Sequence, residues 1–196
     1  LGYAGSEEAL APVQDAGATV LIFNPTTVEG IYSNIITVGA AVGDTESAAE
    51  LTESIKTQIE EIALATAAVK EPLKVFYAID NTLWTCGPGS FVDELLTLAN
   101  AVNVGAMQGG DSAAAQAYYQ FSPEQLVAAD PDVIILPTAS GYTSADEFSA
   151  DTRFAGLTAV KEGHVYLMDD TTVTRPGPRI GEGLKLLAQT IYPEIF

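Results

Sequence analysis

Residues Thr174 to Gly181 read Thr-Arg-Pro-Gly-Pro-Arg-Ile-Gly and set two arginines, Arg175 and Arg179, around a stiff turn. Two prolines restrict the backbone there, and proline suits the first turn of a helix. The spacing of Ile180, Leu184, Leu187 and Ile191 starts such a helix at once. Free N–H groups at a helix mouth attract anions, so guanidinium groups beside them suit a carboxylate or a phosphate. The same arginines suit pairing with surface carboxylates equally well. The residues alone leave both uses open.

Aromatic residues in loops are the second chemical signal. Trp84, the only tryptophan, lies in an expected loop from Asp80 to Gly89. Tyr118 and Tyr119 lie in another, before Ser122-Pro123-Glu124, and Tyr142 in a third, after a strand ending at Leu136. Loops at the carboxyl ends of parallel strands gather at one sheet edge, where ligands bind. Flat side chains near an arginine suit a large, partly apolar ligand bearing acid or amide groups. The alternative is that these aromatics cover the core from loops.

Other chemistries lack parts. Gly87-Pro88-Gly89 has Val92 where a dinucleotide fingerprint needs its third glycine, and it lies far past the strand. His164 is the only histidine and sits in a strand-like Gly-His-Val-Tyr run, so no base pairs with a nucleophile. Cys86 is the only cysteine, which rules out an internal disulfide and leaves it without a partner for a zinc site. Asp169 and Asp170 are adjacent carboxylates at a strand end, expected to be solvated.

Composition bounds the class. An apolar share of 47% in 196 residues supports a substantial core. Twenty-six acidic residues against eight basic ones, a net charge of −18, exclude a nucleic-acid partner, which needs a positive surface. No apolar run reaches the roughly 18 residues of a membrane-spanning helix. The chain opens at Leu1 with no signal-peptide pattern, so the expectation is a processed chain or part of a longer one.

These residues must be positioned by an α/β alternation. Ser6 to Ala16 is expected as a helix capped by Ser6, followed by a strand over Thr19 to Phe23 and a helix through Val28, Ile31, Ile35 and Val38. From Thr45 to about Val69 no proline or glycine intervenes, and Leu51, Ile55, Ile59 and Ile62 form a stripe. Asp44 is the expected N-cap. About 25 residues at about 1.5 Å each make a rod of roughly 40 Å, read as a stiff connector. Beyond Glu71-Pro72, strands are expected at 74–79, 132–136 and 164–168, with helices at 90–100, 125–129 and 178–192. The organisation is therefore residues 1–43 as part of a first lobe, 44–71 as connector helix and 72–196 as a second, mostly parallel lobe with helices on both faces.

Four segments in order carry a family resemblance. They are Gly89 to Leu96, Phe121 to Ile135 (Phe-Ser-Pro-Glu-Gln-Leu…Pro-Asp-Val-Ile-Ile), Ala159 to Tyr166, and the Arg-Pro-Gly-Pro-Arg turn. With the rod helix before them, the chain resembles the substrate-binding proteins of ABC importers for vitamin B12, haem and iron-siderophores. The resemblance implies two α/β lobes on one long helix, a bulky metal chelate held between them and little hinge motion. It also implies an extracytoplasmic, possibly lipid-anchored protein with no intrinsic cofactor and no catalytic activity. By this likeness an aromatic in the Leu83-Trp84-Thr85 loop, Tyr118 and Arg175 contact the ligand, with Thr171 at a position that holds aspartate in some relatives; the loop reading adds Tyr119 and Tyr142 as candidates. Glu124 docks onto a membrane permease.

The chain departs from the family pattern in two respects. The relatives carry a longer segment before the connector, which leaves the first lobe incomplete here. Thr171 stands where some relatives have aspartate, which weakens cobalamin against an iron chelate. One histidine cannot hold a bare metal ion, which favours a chelate. The rivals are an α/β metallocluster-type enzyme subunit, which needs more cysteines, and a sensor or scaffold module outside transport.

Overall fold

The computed structural model describes residues 1–107 and 117–196. The chain opens with β1 (Gly2–Tyr3), α1 (Glu7–Asp15), β2 (Ile22–Phe23) and α2 (Val28–Val42). β1 and β2 pair in parallel over two residues each, so the expected strand at 19–23 shortens to the length its partner offers. Ser6 does not cap α1. Its hydroxyl turns back to donate to the Tyr3 carbonyl at 2.6 Å. Thr27 caps α2 by accepting from the Gly30 N–H at 3.0 Å, and Gly43, at φ +79°, ends it.

The helix expected as a connector is α3 (Thr45–Thr66), one unbroken helix of 22 residues or roughly 33 Å. Asp44 caps it, accepting from the Ser47 N–H at 3.2 Å. Its buried stripe runs through Ala48, Thr52, Ile55, Ile59, Ile62 and Thr66, in steps of four and three. Leu51 falls beside that stripe and is 40% exposed, which corrects its expected inward placement. The helix also stops at Thr66 rather than Val69. Asn100, at φ +55°, donates its amide to the carbonyls of Thr66 and Val69 and so satisfies the frayed end.

The second unit runs β3 (Lys74–Tyr77), β4 (Trp84–Cys86), α4 (Phe91–Leu98), β5 (Val102–Asn103), α5 (Val104–Met107) and β6 (Tyr118–Gln120). It continues with α6 (Pro123–Ala129), β7 (Val133–Pro137), α7 (Ala145–Ser149), α8 (Thr158–Glu162), β8 (Val165–Met168) and α9 (Ile180–Ile191). Four strands form a parallel sheet in the order β5-β3-β7-β8. Successive strand residues point to opposite faces, and the core divides accordingly. Val75, Tyr77, Val133 and Ile135 pack with α2, α3, α4 and α9. Phe76, Ile134 and Leu136 pack with Leu126, Phe148, Phe154 and Leu157 on the other face. Each large apolar side chain fully buried in this way contributes about 1.5–3 kcal/mol.

α3 packs on α2 in the first unit and on α9 in the second, so it ties the two together. Tyr192, at the end of α9, donates its hydroxyl to the Asn100 carbonyl at 2.6 Å and accepts from the Leu73 N–H at 3.1 Å. Among the described residues, no helix is long and apolar enough to cross a membrane.

Candidate functional site

A hollow of about 610 Å³ opens beyond the carboxyl ends of the parallel strands, between the two units. The first unit supplies Asn24, Pro25 and Thr26, which follow β2. The second supplies Tyr77 at the end of β3 and Ile79 just after it, the mouth of α4, Tyr118 from β6, Pro137 at the end of β7 and Ala139 beyond it, and Asp170, Thr174 and Pro176 after β8. This is the edge at which open α/β sheets bind ligands. A wider apolar hollow of about 900 Å³ adjoins it and shares Asn24, Pro25, Thr174 and Pro176. Arg175 lines this second hollow, with Ile31, Ile35 and Leu51.

The expected loops around Trp84 and Tyr118 are in fact two strands of one antiparallel ribbon. Trp84 lies opposite Gln120, Thr85 opposite Tyr119 and Cys86 opposite Tyr118. Directly opposed residues share a face, so Trp84 and Tyr118 stand diagonally on one side of the ribbon. Tyr118 is 46% exposed and Trp84 is 40% exposed. Tyr118 lines the 610 Å³ hollow, whereas Trp84 is not among the residues lining either hollow. Partial burial raises the phenol pKa of Tyr118, so it stays a neutral hydrogen-bonding group.

Leu83, Thr85 and Tyr119 are buried beneath the ribbon. Leu83 holds a left-handed φ of +68° and packs in the core. Thr85 donates to the Tyr77 carbonyl at 2.8 Å, and the Tyr119 hydroxyl donates to the Gly105 carbonyl. These three hold the ribbon rather than face the hollow. Tyr142 packs edge-on against Phe148, with ring centroids 5.7 Å apart, and Thr171 bonds back to the Asp169 carboxylate. Neither lines the hollows. Glu124 is exposed in the first turn of α6, beneath a complete capping box formed by Ser122 and Gln125. Hydrogen bonds from its own N–H and from Ser122 lower its carboxyl pKa.

The mouth of α4 is held by a partly buried polar network. Ser90 accepts from the Asp93 N–H at 3.1 Å, and Asp93 accepts from the Gly89 N–H at 2.9 Å and from the Asn103 amide at 2.8 Å. Asn103 also donates to the Cys86 carbonyl at 2.9 Å. The Cys86 thiol is fully buried, and burial pushes its pKa up to about 12. A thiol so placed stays protonated and is a poor nucleophile. Among the described residues, no three His, Cys, Asp or Glu side chains converge as a metal site.

Two lining residues were not foreseen. Tyr77 donates its hydroxyl to Asp170 Oδ2 at 3.1 Å, and burial, then the neighbouring carboxylate, raises its pKa well above the ordinary phenol value. Asp170 is only 9% exposed, contrary to the expected solvated pair, because strand alternation turns it inward with Met168 while Asp169 faces out. That alternation was the signal available in the sequence.

A family model described as periplasmic binding protein matches residues 8–172. The chain belongs to the periplasmic binding protein family. Among relatives of this periplasmic binding protein, an uncharacterised ABC transporter substrate-binding lipoprotein, YvrC of Bacillus subtilis, is 32% identical over 97% of the chain. A cobalamin-binding protein of Halobacterium salinarum is 25% identical over 92% of it. The chain spans 59% of the first relative and 49% of the second. The fold matches that of the periplasmic heme-binding protein RhuT from Roseiflexus sp. RS-1 with a TM-score of 0.83, at 22% identity, over 98% of this chain and 74% of that one. All three are named as binding proteins, and YvrC is named as part of an ABC transporter.

Proposed function

We propose that this protein is the substrate-binding component of an ABC importer, which takes up a bulky metal chelate of the cobalamin, haem or ferric-siderophore kind and delivers it to a membrane permease. The single observation that carries this reading is the hollow at the carboxyl edge of the sheet, bordered by residues of both units and by Tyr118. Tyr118 and Trp84 present aromatic surface on one ribbon face, and Arg175 adds a cation from the adjoining hollow. Such surfaces suit a rigid, partly apolar chelate, which is held by stacking and a few polar contacts rather than by ligation of the metal.

Under this reading residues 1–43 belong to one lobe, 44–71 are the connector and 72–196 the other lobe. The site is extracytoplasmic, as the lipoprotein relative suggests. Glu124, exposed and ionised, is available to a basic surface on the permease. The test is an absorbance titration of the full-length protein with cyanocobalamin, hemin and a ferric hydroxamate siderophore. Saturable one-to-one binding of one of them supports the proposal. Absence of binding to all three contradicts it.

A further inference from the structure

We infer that Asp170, oriented by Tyr77, makes this cleft select chelates whose rim carries hydrogen-bond donors, amides above all, over chelates whose rim carries carboxylates. The inference deepens the function proposed above and rests on it. Among the described residues that line the 610 Å³ hollow, Asp170 is the only one with an ionisable carboxylate or a cationic group. Its Oδ2 accepts from the Tyr77 hydroxyl at 3.1 Å. Its backbone carbonyl is fixed by the N–H groups of Val173 and Thr174, both at 2.9 Å, and by the Thr174 hydroxyl at 3.0 Å. The carboxylate therefore has a set position.

Its Oδ1 accepts no hydrogen bond from the described residues, and none of their buried side-chain oxygens is left both unpaired and sealed from solvent. Asp170 lines the hollow, with Oδ1 left without a donor among the described residues. A carboxylate is an acceptor only. It bonds an amide N–H and opposes a second carboxylate, and the contrast sharpens where water is scarce.

The surroundings reinforce that preference. Arg175 and Arg179 both act on the exposed Asp169 carboxylate, and Arg175 lines the neighbouring hollow rather than this one. The whole chain carries −18, which disfavours a polyanionic ligand during approach. The remaining polar lining, from Asn24, Thr26, Ser90 and Thr174, is uncharged.

The test uses the full-length protein and one corrin ring in two forms: dicyanocobinamide, with its peripheral amides, and the monocarboxylates produced by hydrolysing one of them. Hemin and a ferric hydroxamate siderophore are titrated alongside. The protein is expected to bind the amide form about tenfold or more tightly than the acids. Asp170→Asn should bring that ratio close to one, whereas Tyr77→Phe, which keeps the carboxylate but removes the bond that orients it, should lower the ratio by less. An equal or inverted ratio in the parent, or an unchanged ratio in Asp170→Asn, overturns the inference. Binding of hemin alone overturns it and leaves the transport reading standing. Binding of none of them overturns the transport reading first.

Discussion

The Glu94 carboxylate of α4 accepts a hydrogen bond at 2.9 Å from the backbone N–H of Val28, in the first turn of α2, 66 residues away in sequence. This bond joins the two units beside the residues that line the cleft, since Thr26 lies two positions before Val28 and Val92 two before Glu94. It also sets a negative group at the positive end of α2. Glu94→Ala should cost about 1–3 kcal/mol in denaturant unfolding, and Glu94→Gln less. Loss of the bond should also weaken binding of whichever chelate the protein takes. A variant as stable as the parent would mean this bond adds nothing to the shared core that joins the units.

Gly183 lets α9 lie against the backbone that follows β8. A Cβ built there would sit 2.3 Å from the Thr172 carbonyl oxygen. Backbone cannot yield as a side chain tip can, so Gly183→Ala should destabilise by about 1–3 kcal/mol. Because Thr172 lies within the turn from Asp170 to Thr174, the same change should weaken binding. Gly156→Ala, where nothing lies within 4 Å of the added carbon, is the control and should stay within about 0.5 kcal/mol of the parent.

Stability should fall at both ends of the pH scale. Asp130 accepts from the Thr158 N–H at 2.7 Å and from its hydroxyl at 2.8 Å, and these bonds lower its pKa. Its contribution is present above the unfolded value of about 3.9 and is lost as pH falls through the lower folded value. Cys86 behaves oppositely. Burial raises its thiol to about 12, so its contribution is complete below about 8.5 and declines as pH rises toward 12. Tyr77 adds to that decline above about pH 10. Denaturant midpoints measured from pH 3 to 11 should trace a plateau with two falling flanks. Cys86→Ala should flatten the alkaline flank, and an unaltered flank would remove the thiol from the account.

Glu124 projects from the surface and lines neither hollow. Glu124→Ala should leave chelate affinity unchanged and slow uptake by the assembled transporter several-fold, a typical effect of losing a charged contact on association. Uptake equal to that of the parent would reduce Glu124 to a helix-dipole role.

The parallel layering was legible because the core strands β3, β7 and β8 read as short apolar runs and several helices start with recognisable capping chemistry. Asp44 caps α3, Ser90 caps α4, and the Ser122–Gln125 pair caps α6, as local sequence indicates. What the sequence could not supply was pairing between distant segments. The residues around Trp84 and Tyr118 lack the apolar run of a core strand, and only their mutual register, 34 residues apart for Trp84 and Tyr118, makes them a ribbon. Asp170 was missed because two adjacent acids read as solvated, although alternation buries one of them. Leu51 was misplaced because a stripe of fours fitted it as well as the true three-four pattern that selects Thr52. Tyr142 and Thr171 follow strands at the correct edge, yet local contacts with Phe148 and Asp169 occupy them.

The central claim is that a chelate occupies the cleft between the two units and touches Tyr118. Isothermal titration of the full-length protein and its Tyr118→Ala variant, with whichever of cyanocobalamin, hemin or the siderophore binds, tests it most directly. Trp84→Ala and Arg175→Ala extend the series along the ribbon face and into the adjoining hollow. The account predicts one-to-one binding to the parent and about tenfold or greater weakening in Tyr118→Ala, since stacking and burial of one ring exceed about 1.4 kcal/mol. Identical affinity in the parent and Tyr118→Ala would contradict it.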